Sequence, residues 1–507
     1  MMTARSAFHS LGRATLSATR AVTRAAALGA LLLSTPLVAQ QAKLPPIRPI
    51  GTTIARSSTP LGAVSTAVPL PGGKVLVNDV LQRRVVLFDS TLANATVIAD
   101  STSATANAYG ARGGGLIAYN GDSALFVDPA SLSMITINAA GELTTVRAVP
   151  RANEINFLAG GPNGRPGFDP GGRLIYRGQA RGRPAADGAA GGRGGRGQGG
   201  GGVGGPGGMT FAMPQQPDSA PVVRVDLETR KLDTIAEFKI PKFDIKMTQG
   251  VDGRMNIQTT LHPLPTTDDW ALLSDGTVAV VRGHDFHVDW YGQDGTVTSS
   301  PKLPFDWQRL SDDDKQMVVD SARAAIEKQR EEAQRMMTAA GGPGAFIAGG
   351  GGERIMMMGG AGGAPPQRGA GGGGGAGAAA GGAAGGAAGG QRGQGDGARG
   401  PNGGGGPGGF QIPPVNMVPA NELPDYRPPF GQQSALGDLD GLLWIKTSAA
   451  VGEGGPIYYV ISRQNEVVDR VQLPQGRIIA GFGKGGIVYL GFKDAEGNAR
   501  LEVTRWK

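Results

Sequence analysis

Three histidines and several aspartates fall close together in the sequence: His284, Asp285, His287 and Asp289, with His262 upstream. Imidazole and carboxylate together suit a divalent ion, and His284 beside a carboxylate has the chemistry of a general base. The spacing argues against a metal centre. His284 belongs to a turn, whereas His287 and Asp289 share a strand, so exposed or hydrogen-bonded structural roles are the stronger reading. Asn78, Asp79 and Arg84 form a second polar group, and Arg282, His284 and Asp285 stand in an equivalent loop. These six are the candidate ligand-facing residues. Ordinary turn chemistry, in which Asn and Asp satisfy local backbone groups, competes with that role. Asp438 and Asp440 resemble a fragment of a calcium loop but lack the rest of the ligand ladder, so a hairpin turn is expected there. No catalytic residue, metal or cofactor is assigned.

The elements that must position these residues are short strands. In Trp270–Gly295, apolar runs are separated by Asp275-Gly276, Arg282–Asp285 and Gln293-Asp294-Gly295. Asp-Gly between β-prone runs marks a hairpin, because its second residue takes positive φ. Phe286, Val288 and Trp290 alternate with His287, Asp289 and Tyr291, which is the period of a strand with two different faces. Comparable meanders recur, giving six units of about fifty residues once long insertions are set aside, the signature of an all-β, six-bladed β-propeller. A β-sandwich explains the turns but not six similar units. The sixth unit shows only three strands, and Gly51–Arg56 is expected to add its outer strand and close the ring, removing exposed edges. Leu44–Pro49 reads as a Pro-rich linker, and Trp270, Trp290 and Trp444 as packing between blades.

Composition divides the chain. Residues 1–39 carry Arg5, Arg13, Arg20 and Arg24 without an acid, then an apolar stretch ending near Ala39. That is the pattern of an export signal, and the apolar run is short for a membrane span. The next segments are 40–178 (blades 1, 2 and part of 3), 179–220 (a Gly/Arg-rich disordered insertion) and 221–305 (the rest of blade 3 and blade 4). They are followed by 306–340 (a helical insertion), 341–421 (a Gly/Ala-rich disordered insertion) and 422–507 (blades 5 and 6). The glycine-rich tracts bury too little apolar surface to offset the entropy of ordering them. The formal charge is +7, but the leader and the two tracts carry all the excess. The folded part is near neutral, which excludes a nucleic-acid-binding core. Arg193 and Arg196 lie in an Arg-Gly tract without interleaved aromatics, better read as a spacer than as an RNA-binding segment. With no cysteine, there are no disulfides or thiolate metal sites.

Antiparallel blades place the loop between strands two and three on the same face as the connection to the next blade. The first insertion falls at the former position in unit three, and the second falls between units four and five, so both are expected to leave one face. Within the second, Ser311 is a helix N-cap, with Asp312, Asp313 and Asp314 at the positive end of the helix dipole. Val319, Ala322, Ile326, Ala333 and Met336 form a thin apolar stripe.

Trp270–Gly295, Leu303–Trp307, Leu423–Phe430 and Asp438–Ile445 together resemble bacterial secreted six-bladed propellers of the TolB-like and NHL-like superfamily, over roughly 60–178, 221–310 and 422–507. The resemblance implies the fold and says little of chemistry. The expectation is an exported, periplasmic or extracellular monomer that binds an unknown protein or carbohydrate ligand. It would carry no cofactor, nucleic acid or membrane span after signal cleavage. The reading leans away from an enzyme. The alternative is a propeller enzyme, either a metal-dependent lactonase-like hydrolase or a quinoprotein-type dehydrogenase. The Glu/Asn/Asp metal ligands of the lactonase-like group find no residue-by-residue match here.

Overall fold

The computed structural model describes residues 44–101, 109–110, 112–160, 164–180, 217–242, 244–249, 255–339, 415–449 and 454–507. The leader and most of both glycine-rich tracts, with Arg193 and Arg196, lie outside these residues. Six antiparallel sheets follow one another along the chain. Blade 1 comprises Thr66–Pro69, Val75–Asp79, Arg84–Phe88 and Ala95–Ala99. Blade 2 comprises Gly115–Tyr119, Ser123–Asp128, Ser133–Ile137 and Leu143–Ala148. Blade 3 has a very short first strand, Gly167–Phe168, then Leu174–Arg177, Ser219–Val225 and Leu232–Lys239. Blade 4 is Asp269–Leu272, Val278–Arg282, His287–Tyr291 and Val297–Ser299. Blade 5 is Phe430–Gly437, Leu443–Thr447, Ile457–Ile461 and Val467–Gln472. Blade 6 is Ile478–Phe482, Ile487–Lys493 and Ala499–Arg505, completed by Thr53–Arg56.

The alternation of side chains turns these sheets into a ring. Leu76 and Val85 face blade 2 beside Leu116 and Phe126, whereas Val77 and Val86 face blade 6 beside Tyr489 and Leu501. Leu174 and Tyr176 pack on blade 2, and Ile175 packs on blade 4 with Trp270. Trp290 lies in the core between blades 4 and 5, and Trp444 in the core between blades 5 and 6. The buried residues of the inner strands thus fall into one of two interblade cores on either side of each sheet, so both faces of those strands are apolar, and six such cores close on themselves. A two-sheet sandwich would make one core. All three tryptophans sit where interblade packing requires them.

The ends of the chain seal the ring. Thr53–Arg56 pairs antiparallel with the last strand, Thr53 opposite Thr504 and Arg56 opposite Glu502. Ile47–Pro49 is a strand rather than a linker, and it pairs parallel with Val467–Gln472 as a fifth strand of blade 5. Proline is tolerated there because an edge strand has one side without a ladder partner. Arg48 fixes the strand by an ion pair to Asp469.

Neighbouring first strands approach closely at two glycines. A Cβ added at Gly437 would lie 2.1 Å from the Leu272 carbonyl oxygen, and one at Gly481 would lie 2.1 Å from that of Ala67. Overpacking against main chain cannot relax by a rotamer change. Gly437→Ala should therefore lower unfolding free energy by roughly 2–3 kcal/mol in a urea titration. Gly431→Ala, where an added Cβ meets nothing within 4 Å, should change it by less than about 0.5 kcal/mol.

The first insertion leaves between strands two and three of blade 3, and the second leaves between blades 4 and 5. Connecting blades 3 and 4 is a hairpin, Asp244–Gln249 with Met255–Leu261, to which Val415–Met417 of the second insertion adds in parallel. This seventh small sheet ties two connections of one face together, and we call that face the upper face. The helix Asp312–Ala339 begins as its sequence indicates, with the Asp314 N–H donating to Ser311 Oγ and the Ser311 N–H donating to Asp314. Val319 packs on Val418 and Leu423, and Lys315 Nζ lies 2.7 Å from Asp425 Oδ1. Ala322 and Ile326 are half-buried, and the side chains of Ala333 and Met336 lie outside the described residues. Among the described residues, no helix is long and apolar enough to cross a membrane.

Candidate ligand-facing surface

On blade 1, the four-residue connection after Asp79 brings the carboxylate back over the start of the blade. Asp79 is fully buried and accepts hydrogen bonds from the N–H groups of Gly62 (3.0 Å), Ala63 (2.9 Å) and Gln82 (3.3 Å) and from Arg84 Nε (3.0 Å). Arg84 also donates to the Pro60 carbonyl. Asn78 donates to the Gly114 carbonyl and accepts from the Tyr109 hydroxyl, which in turn accepts from the Gly114 N–H. Burial pushes Tyr109 up to about 12. Asn78, Asp79 and Arg84 therefore lace blade 1 to the chain before it and to blade 2.

On blade 4, Arg282 is the hub. Its Nε lies 2.7 Å from Asp289, one terminal nitrogen 2.8 Å from Asp268, and the other donates to the Tyr291 hydroxyl. Burial alone would lower the Arg282 pKa, but the hydrogen bonds to Asp268 and Asp289 outweigh it and raise it. His287 contacts Asp285 through Nδ1 at 2.6 Å and approaches Asp289 through Nε2 at 3.4 Å. Burial acts to raise the Asp289 pKa, yet the hydrogen bonds from Ser299 and Arg282 prevail and hold it below the usual carboxylate range. Arg282, Asp285, His287 and Asp289 thus converge, while His284 projects exposed from the loop. The blade 1 and blade 4 groups are three blades apart in a ring of six. Among the described residues, no group of three or more His, Asp or Glu side chains could hold a metal ion.

Two further residues matter that the local sequence does not single out. Asp269 opens the first strand of blade 4 and is completely buried. One carboxylate oxygen accepts from the Trp270 N–H, and the other accepts from the N–H groups of Ser434 (2.6 Å) and Ala435 (2.9 Å). Those amides lie in the first strand of blade 5 where its register breaks, beside Gln433 at φ 55°. Burial raises the Asp269 pKa to about 6 in spite of these bonds. Arg165, just before the short first strand of blade 3, reaches the carbonyls of Ala480 (2.9 Å) and Ile479 (2.5 Å) in the first strand of blade 6. Blades 3 and 6 face each other across the ring, so this side chain spans the axial channel on its upper side. The flanks Gly164 and Pro166 are its one local signal, since they keep the segment out of the sheet ladder.

No protein-family model matches the chain, and no curated protein does. Solved structures do. A catalytically inactive virginiamycin B lyase from Staphylococcus aureus aligns over 89% of this chain and 97% of its own, at 9% identity and TM-score 0.33. Regucalcin, a calcium-binding protein from Agrobacterium tumefaciens, aligns over 90% and 97%, at 10% identity and TM-score 0.33. TolB from Acinetobacter baumannii aligns over 87% and 64%, at 8% identity and TM-score 0.28. At these values the likenesses say nothing of chemistry, and the six-bladed propeller rests on the sheet order and the six interblade cores of the chain itself.

Proposed function

We propose that this chain is an exported, monomeric propeller that works as a binding module in the periplasm or outside the cell, taking a protein or carbohydrate ligand on its upper face. The observation that supports this most is the inequality of the two faces. On the lower face the turns are tight and self-satisfied, as where Asp89, Asn138, Asp226 and Asp294 each accept a backbone N–H two residues on. Both long insertions leave the ring on the upper face, and the extra hairpin and the helix Asp312–Ala339 lie in its connections. A rigid scaffold that concentrates its long segments on one side presents them for recognition. The loops of Asn78, Asp79 and Arg84 and of Arg282, His284 and Asp285 frame that side, with exposed His284 the residue freest to meet a ligand.

A glycan array and a peptide array probed with the chain from residue 40 onward test the reading. We expect a retained ligand whose binding falls at least about fivefold in His284→Ala with unchanged thermal midpoint, a loss typical of one removed polar contact. Hydrolysis of members of a lactone and ester panel, dependent on an added divalent ion, would overturn the proposal in favour of an enzyme.

A further inference from the structure

The guanidinium of Arg165 crosses from blade 3 to the main chain of blade 6. It lies deep enough that burial lowers its pKa, yet the residue keeps part of its surface accessible. Because it reaches from blade 3 to the carbonyls of the innermost strand of blade 6, it stands at the axis of the ring. Its hydrogen-bond acceptors are two main-chain carbonyls, and among the described residues no carboxylate pairs with it. A desolvated cation without a countercharge is costly to keep. Arg84, Arg173 and Arg282, by contrast, each meet carboxylates: Arg84 meets Asp79, Arg173 meets Asp169 and Arg282 meets two aspartates.

Two neighbours give the site its chemistry. Tyr458, in the third strand of blade 5, is 5% exposed and feels the Arg165 charge. Burial pushes its hydroxyl up to about 12, so it remains a neutral donor, and no hydrogen bond occupies it among the described residues. Ile478 begins the first strand of blade 6, next to the carbonyls that hold Arg165, and is 54% exposed although it stands in an innermost strand. A cation, a hydroxyl donor that feels its charge and an accessible aliphatic side chain therefore stand toward the upper ends of their blades.

We propose that Arg165 and Tyr458 bind the carboxylate of a small organic acid whose alkyl part rests against Ile478. The inference rests on the upper face being the binding face and specifies the chemistry of its axial end. Planar carboxylate matches the guanidinium fork, and charge-assisted bonds of this kind are about twice as strong as neutral ones.

The test is an NMR titration of the chain from residue 40 onward with 13C-carboxyl butyrate, with butyramide and inorganic phosphate as parallel probes. Butyrate should bind saturably and butyramide at least about tenfold more weakly, as expected for loss of a charge-assisted pair. Tyr458→Phe, which keeps the ring, should weaken butyrate severalfold. Arg165→Met should abolish saturation, and Arg165→Lys should restore it in part. Equal binding of butyrate and butyramide, or saturation unaffected by both Tyr458→Phe and Arg165→Met, overturns the proposal. So does tighter binding of phosphate than of butyrate, because the site would then recognise anions without regard to the alkyl group. Failure here alongside array binding sensitive to His284→Ala would sink the axial site alone and leave the binding-module reading standing.

Discussion

Asp269→Ala will lower the unfolding free energy by about 3–5 kcal/mol, the loss expected when two or three buried N–H groups are left without an acceptor. Its carboxylate accepts from the Ser434 and Ala435 amides at the break in the first strand of blade 5. Urea denaturation followed by tryptophan fluorescence reads the effect, because Trp270 lies beside it. The same side chain sets a pH dependence. Its pKa rises from the ordinary 3.8 to about 6 in the folded chain. Between roughly pH 4 and 6 the native state therefore holds a proton that the unfolded state has released, and stability falls as pH rises through that window. About two pKa units correspond to nearly 3 kcal/mol, levelling off above pH 6. Asp269→Asn removes the titration, so the difference in stability between wild type and this variant should change across pH 4–6 and be constant above it. A constant difference throughout that window would show that the carboxylate ionises normally.

The second large effect concerns closure. Deleting residues 44–56 removes the outermost strand of blade 6 and the fifth strand of blade 5. Gone with them are the acceptors of Thr504 Oγ1 at Gly51 and Thr52 and the packing of Ile50. Summing hydrogen bonds and apolar area gives a loss of at least about 5 kcal/mol. The bared edge of Ala499–Arg505 then becomes a template for pairing with other chains. Sedimentation velocity should show larger oligomers or aggregate than the intact chain forms. A monomeric deletion variant of unchanged stability would mean that the terminal strands do not hold the ring closed.

Most of the fold was legible because propeller strands announce themselves locally. Asp275-Gly276 and Asp294-Gly295 carry positive φ at both glycines, as their hairpin signal requires, and Ser311 caps its helix. The three-stranded sixth unit pointed to the missing strand at the other end of the chain. Two elements escaped. The hairpin Asp244–Leu261 has adequate alternation, but it is surplus to four strands per blade, and its third strand comes from Val415–Met417, more than 150 residues on. Ile47–Pro49 looked like a linker because proline suppresses a strand reading wherever the edge position is unknown. For the site the limit was sharper. Asn78, Asp79, Arg84 and Arg282 were visible as polar loop residues, and the structure adds what their charges and donors meet. Asp269 and Arg165 act through partners 165 and 315 positions away. No local pattern encodes such a pairing, since it depends on which strands the ring brings face to face.

Gly51 and Thr504 are joined although 453 residues separate them in sequence. A chain delivered from its amino end must therefore keep Thr53–Arg56 waiting, unpaired, until the very last strand emerges. Locally formed meanders condense early, whereas this pairing carries the largest loop-closure entropy in the molecule and sets the slow step. Refolding should consequently show early secondary structure and a late phase in which the native fluorescence of Trp506, beside that seam, is finally acquired.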